Sequence, residues 1–153
     1  SYIGLTYKPT DIDEKGIIVL RSCNIRNGKL ALDDIVRVSS SISEKLLIEE
    51  NDIIICARNG SKRLVGKSAL IRNLTEPMTF GAFMAICKTP IYEYMFAYLQ
   101  SDLFFGQLRD VSNTTTINQL TQNKFNDFLI PIPPVKEQER IAFKISQLFQ
   151  ELR

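Results

Sequence analysis

The stretch NDIIICAR, Asn51 to Arg58, decides how the chain is built. Asn51-Asp52 is a turn-prone pair, and Ile53, Ile54, Ile55 and Cys56 follow it with no polar residue between them. Such a run reads as a strand buried on both faces, because a strand with one wet side alternates apolar and polar residues. The strand stops at Asn59-Gly60-Ser61, a second turn, and LVGKSALI (Leu64 to Ile71) returns against it as a hairpin.

Working outward from that hairpin, GIIVLRSCNI (Gly16 to Ile25) is β-rich and closes on Asn27-Gly28, a strong tight-turn dipeptide. KLALDDIVRVS returns as a strand or extended connector, and a short helix is expected from Ser41 to Ile48. On the other side, MTFGAFMAIC (Met78 to Cys87) reads as one more buried strand, with Gly81 at a bulge or close backbone approach. Past Pro90, the apolar positions Ile91, Tyr94, Met95, Tyr98, Leu99, Leu103 and Phe104 keep helical spacing and form a core-facing stripe. Ser112 to Leu120 is a polar loop without charge; Thr121 caps a short helix, and a strand is expected from Phe128 to Ile132. The expected fold class is mixed α/β (α+β): a twisted, mostly antiparallel sheet with packed helices, plus a C-terminal coiled-coil-type helix.

That last helix follows a proline strut. Pro131, Pro133 and Pro134 end the sheet and set a stiff exit direction, because proline fixes φ and cannot donate a ladder hydrogen bond. Beyond them Ile141, Ile145, Leu148 and Leu152 are spaced 4, 3 and 4, a heptad seam among charged neighbours. One helix cannot bury such a seam alone. Spacing leaves two partners open: a second helix elsewhere, or the body of the same domain. The expected division is a folded domain over residues 1–135 and the opening of a spacer or dimerisation helix over 136–153.

Composition narrows the chemistry. In 153 residues, 44% are hydrophobic and 24% charged, ordinary values for a globular chain with one core. No apolar run approaches bilayer length, so a soluble, cytoplasmic protein without a membrane partner is expected. Cys23, Cys56 and Cys87 form no Cys-x-x-Cys pair and read as reduced core thiols, and histidine is absent. Without histidine, Ser-His and Cys-His nucleophile systems are excluded within the chain, and the acidic pairs Asp33-Asp34 and Glu49-Glu50 sit beside turns as loop charges. Gly66-Lys67-Ser68 imitates the end of a phosphate loop, but position 61 is serine where the first glycine belongs. No catalytic residue, metal site or cofactor is expected.

Net charge is only +2, yet Arg58, Lys62, Arg63, Lys67 and Arg72 fall in fifteen residues that contain no acid. A local basic patch, on a protein that is not globally basic, is the signal.

Three stretches carry a family resemblance: GLTYKPTDIDEKGIIVLRSCNIRNGKL near the start, NDIIICARNGSKRLVGKSALI in the middle and LIPIPPVKEQERIAFKI near the end. Together they resemble the target recognition domain of type I restriction-modification specificity subunits, in order and over nearly the whole chain. The resemblance implies a non-catalytic domain that reads one half of a bipartite site in double-stranded DNA. It also implies methyltransferase and restriction subunits as partners, and a second recognition domain or a homodimer held through the C-terminal helix. The abrupt ends then suggest an excised piece, or a half-length subunit that dimerises, lacking a lead-in strand. Two other readings stay open: the recognition domain of a fused restriction-methylation enzyme of another type, and a scaffold whose basic hairpin meets an acidic protein.

Under the main reading, Lys62, Arg63 and Lys67 fall on phosphates, with Ser61 beside them, and Arg58 and Asn59 on base edges. Two further surfaces are candidates: Arg21, Asn24 and Arg26 after the first strand, and Asn113, Thr114, Thr115 and Thr116 in the polar loop.

Overall fold

The computed structural model describes residues 4–113 and 119–151. At its centre is the strand the isoleucine run predicts. Strand β5 (Ile53–Cys56) is buried along its whole length and lies between β6 (Ser68–Leu70) and β8 (Met84–Cys87), antiparallel to both. A strand with no wet side needs a layer on either side, and two layers are present. Ile54 and Cys56 enter a core with Ile18, Leu20, Ile71, Met78 and Phe80, whereas Ile53 and Ile55 point the other way, into a core with Tyr98, Leu99, Phe104 and Leu108. Each fully buried isoleucine contributes about 1.5–3 kcal/mol.

The first core is closed by a second sheet in which β1 (Ile12–Leu20) lies between β4 (Val36–Val38) and β7 (Met78–Phe80). β1 runs antiparallel to β4, with an irregularity between Ile12 and Ile17, and parallel to β7. A small hairpin of β2 (Ile25–Arg26) and β3 (Lys29–Leu30) turns at Asn27 and Gly28, whose φ of 50° and 73° are what a tight two-residue hairpin turn requires. Helices α1 (Tyr92–Leu99), α2 (Asp102–Asn113) and α3 (Gln122–Asn126) supply residues to the second core. The fold is therefore the mixed α/β arrangement expected, mostly antiparallel, with α4 (Val135–Glu151) at the C-terminal end.

Four local expectations are corrected. Met78 to Cys87 is two strands in different sheets, β7 and β8, separated by a turn at Gly81–Phe83 in which Met84 N–H donates to the Gly81 carbonyl at 2.9 Å. Gly81 does make the close backbone approach predicted for it: it bridges Leu5 and donates to the Leu20 carbonyl at 3.0 Å. Ser41 to Ile48 holds only a 3₁₀ turn, Glu44–Leu46, because its backbone is claimed from outside. Thr79 Oγ1 donates to the Leu46 carbonyl at 2.7 Å, and Ile48 N–H to Met78 at 2.9 Å. The aromatic stripe is split into α1 and α2, with Ser101 at the break donating its hydroxyl to the Tyr98 carbonyl (2.6 Å) while accepting from Phe104 N–H (3.3 Å). Thr121 caps α3 as expected, accepting from Lys124 N–H. Phe128 to Ile132, however, is not a strand.

Side chains take over the hydrogen bonds a sheet would have made there. Gln107 clamps Leu129 from both sides, donating to its carbonyl at 2.9 Å and accepting from its N–H at 2.7 Å. Tyr94 donates its hydroxyl to the Pro131 carbonyl at 2.6 Å, and Gln138, buried at the start of α4, donates to Pro133 at 2.7 Å. The exit is fixed by α1, α2 and α4 rather than by a ladder. α4 packs on α1, and exposure rises along it: Ile141 and Ile145 are half-buried, Leu148 is 46% exposed, and Phe143 (66%) and Phe149 add apolar surface outside the predicted seam. Leu152 lies outside the described residues. No helix among the described residues is long and apolar enough to cross a membrane.

Candidate nucleic-acid interface

The β5–β6 hairpin is anchored from beneath. Cys56 and Lys67 pair across it, a 3₁₀ turn (Lys62–Leu64) rounds its end, and Val65 turns inward to the second core. Gly66, at φ 86°, lies so close to α2 that a Cβ would stand 2.6 Å from Leu108 Cδ2 and 3.1 Å from Phe104. This explains the phosphate-loop imitation: Gly66 serves packing, and Ser68 is buried, accepting from Gln100 Nε2 at 2.7 Å. With its inner face held, the hairpin presents Arg58, Ser61, Lys62 and Arg63 to solvent, and Lys67 half-buried at its base. Among the described residues no carboxylate pairs with Arg58, Lys62, Arg63 or Lys67. Arg72, the fifth cation of the run, points elsewhere, pairing with Glu93 at 2.9 Å and lying over Tyr92.

Two of the segments singled out from the sequence, the loop after β1 and the β5–β6 hairpin, meet at this tip, and the described end of the polar segment, Gln119 and Leu120, joins them. Asn59 Nδ2 donates to Ser22 Oγ at 3.1 Å, tying the hairpin to the loop after β1, while its Oδ1 accepts from Ser61 N–H at 3.0 Å. Arg58 bridges Gln119, and Leu120 N–H donates to the Ala57 carbonyl at 2.7 Å, so the polar loop returns onto the hairpin. Asn113 ends α2, and Thr114, Thr115 and Thr116 lie outside the described residues.

The loop after β1 differs in chemistry from the hairpin. Asn24 is 1% exposed, and its amide is consumed within the fold: Nδ2 donates to Ala31 (3.0 Å) and Asp34 (2.7 Å) carbonyls, and Oδ1 accepts from Arg21 N–H at 2.9 Å. It has no group left to offer a base. Arg21 pairs with Asp34 at 3.0 Å, and Arg26 with Asp33 at 2.9 Å. The Asp33 carboxyl is held below the usual carboxylate range by hydrogen bonding from its own backbone and then from Arg26.

The acidic pairs are not lone loop charges. Glu49 and Asp52 both hold Lys88, and Glu50 accepts from Leu74 and Asn73 N–H, which lowers its carboxyl pKa. Among the described residues no three His, Cys, Asp or Glu side chains are grouped as metal ligands. Cys56 is a core thiol whose pKa burial raises, Cys87 is half-buried with its pKa raised the same way, and Cys23, contrary to expectation, is exposed.

Sequence reasoning passed over Phe83. Hidden inside what reads as one strand, it sits on the β7–β8 turn, 56% exposed, with the Arg58 guanidinium 5.2 Å above its ring. The glycine two positions before it was the only local sign of a turn.

A hairpin whose cations have no acidic partner among the described residues, tied to the hydroxyl- and amide-bearing loop after β1, defines a class: a binding module for an extended anion. Comparison with known proteins makes the class specific. Residues 4–153 match the family model for the type I restriction modification DNA specificity domain, and the chain belongs to that family. It is similar to the specificity subunit of the type I restriction enzyme EcoKI from Escherichia coli (strain K12), with 32% identity over 97% of this chain and 34% of that protein. It also resembles the StySPI specificity subunit from Salmonella potsdam, with 31% identity over the same shares. The chain thus spans about a third of the length of the curated relatives it matches. Its fold superposes on a chain of a type I R-M system solved to explain complex assembly and conformational transition (TM-score 0.72, 18% identity, 98% of this chain and 35% of that one). The HsdS subunit from Thermoanaerobacter tengcongensis gives a TM-score of 0.69 at 21% identity, over 90% of this chain and 36% of that one. Membership favours the specificity-subunit reading over the fused enzyme and the scaffold.

Proposed function

We propose that this chain is a non-catalytic target recognition domain that reads one half of a bipartite site in double-stranded DNA. The observation that carries it is a basic tip, joined by Ser22 of the loop after β1 and by Gln119, whose cations Arg58, Lys62, Arg63 and Lys67 have no acidic partner among the described residues. Lys62, Arg63 and Lys67 neutralise phosphates, with Ser61 donating beside them, and Arg58 reads a base edge. Asn59 binds the hairpin to Ser22 and so positions two loops against each other. Asn113 and Thr114 to Thr116, in the segment that leads to Gln119, donate to phosphates or meet a thymine methyl. Arg21 and Arg26 stand at its margin, already neutralised by Asp34 and Asp33.

The same reading divides the chain at residue 135. Residues 136–153 open a spacer helix that meets a second recognition domain or a second copy through Ile141, Ile145, Leu148 and Leu152, with exposed Phe143 and Phe149 available to widen the contact. Methyltransferase and restriction subunits are the partners of the assembly, and a cytoplasmic location follows from its substrate.

A mobility shift on random duplexes at low salt tests the reading. Reversing charge together at Lys62, Arg63 and Lys67 lowers affinity by roughly 10-fold or more, and flattens the salt dependence by about 0.9 for each phosphate no longer neutralised. Unchanged binding, or none by the unaltered chain, overturns it.

A further inference from the structure

We infer that Phe83 and Arg58 act as one base-reading unit, in which Arg58 grips a guanine edge and the Phe83 ring meets the methyl group of the adjoining thymine. The inference rests on the DNA reading above and adds a residue and a base step to it. Phe83 is exposed without being loose. Its carbonyl accepts from both Ala57 N–H and Arg58 N–H at 3.0 Å, so the turn that carries the ring is fastened to the strand end that carries the arginine. Met84, its neighbour, is buried in the first core and fixes the turn from the other side.

A phenyl ring held mostly in water at the centre of a basic, hydroxyl-rich tip does not serve the fold, since its apolar surface gains little from folding. It does serve the arginine. The guanidinium lies over the ring at 5.2 Å, a cation–π contact that limits the rotamers of a long side chain. Its N–H fork matches the O6 and N7 acceptors of guanine, and an apolar ring beside it matches the one apolar group on the major-groove edge, the thymine methyl. The two contacts fall on neighbouring base pairs because the two side chains are themselves in contact.

The test selects the preferred duplex of the 153-residue chain from a randomised pool, then replaces each thymine in turn by deoxyuridine, which removes only the methyl. At one thymine next to a guanine, deoxyuridine weakens binding by about 5- to 10-fold, the scale of one good base contact. Phe83→Ala loses the same factor on the thymine duplex and becomes indifferent to deoxyuridine there. Arg58→Lys keeps the charge and loses the flat fork; it relaxes selection at the adjacent guanine without changing the salt slope, and it stands as the second variant should Phe83→Ala fail to fold. If the unaltered chain retains no duplex, the DNA reading falls and this inference with it. If the chain selects a sequence but the deoxyuridine penalty survives in Phe83→Ala, or Arg58→Lys selects the same guanine, only this inference falls.

Discussion

The loop after β1 and the tip of the β5–β6 hairpin carry the same kind of sequence, Arg-Ser-Cys-Asn-Ile-Arg in one and Arg-Asn-Gly-Ser-Lys-Arg in the other. The fold treats them in opposite ways. In the first, each arginine meets an aspartate from further along the chain, and the asparagine is sealed inside with its amide satisfied. In the second, the cations face solvent unpaired among the described residues, and the asparagine reaches sideways to the neighbouring loop. The first loop spends its polar groups on the fold; the second keeps them for a partner. Residue type alone therefore does not mark a binding surface. What marks it is whether the fold has already answered the residue.

The sharpest way to break that contrast is to remove the two asparagines separately. Asn24→Ala leaves the Arg21 N–H and the Ala31 and Asp34 carbonyls without their side-chain partner in a buried place, a loss of about 3 kcal/mol at roughly 1 kcal/mol per bond. Asn59→Ala breaks a half-buried contact to Ser22, a long one to Cys56 Sγ and an exposed one from Ser61 N–H, about 1 kcal/mol together. Urea midpoints at constant m measure both. Equal midpoints for the two variants would show that the loops are not built differently.

A smaller effect sharpens the same contrast from the DNA side. Asp33→Asn with Asp34→Asn releases Arg26 and Arg21, which border the proposed surface. Random-duplex affinity at low salt then rises by about 3- to 10-fold, and the salt slope steepens by up to about 2, one for each released cation that finds a phosphate. The same two substitutions made in a chain with Lys62, Arg63 and Lys67 reversed restore little, because the first loop lies beside the tip and does not replace it. A flat response in the otherwise unaltered chain would mean that the first loop faces away from the DNA.

Much of this design was legible in the sequence wherever a local cause was sufficient. The isoleucine run reads as a doubly covered strand, Asn27-Gly28 as a tight turn, and Thr121 as a helix cap, and each is what the fold contains. Expectation failed where the cause was distant. Met78 to Cys87 is almost wholly apolar, and nothing in that run tells that one half joins β1 and the other β5. The Phe128 to Ile132 stretch reads as a strand, yet its partners are side chains on α1 and α2. Asn24 and Asn59 are indistinguishable until Asp34 and Ser22 arrive beside them from elsewhere. The site lay half in view for the same reason: its charges are local in sequence, whereas Phe83 joins them only through the fold.

The smallest expected effect concerns acid. The Asp33 carboxyl is depressed by its backbone hydrogen bond and by Arg26, and the Glu50 carboxyl by the N–H groups of Leu74 and Asn73. A carboxyl whose pKa is lower folded than unfolded binds fewer protons in the native state. Its stabilisation is fully present above the unfolded value, near 4, and is lost as pH falls through the folded one. Stability should therefore hold from pH 7 to about 5 and decline below about 4, with Asp33→Asn and Glu50→Gln each making the decline shallower. Both carboxyls are exposed, so solvent screens them and each changes the slope by less than one proton. Urea midpoints from pH 6 down to 3 would detect this. If Asp33→Asn left the acid limb unchanged, the Arg26 pair would contribute nothing to the native state, and Arg26 would be as available to a phosphate as Lys62.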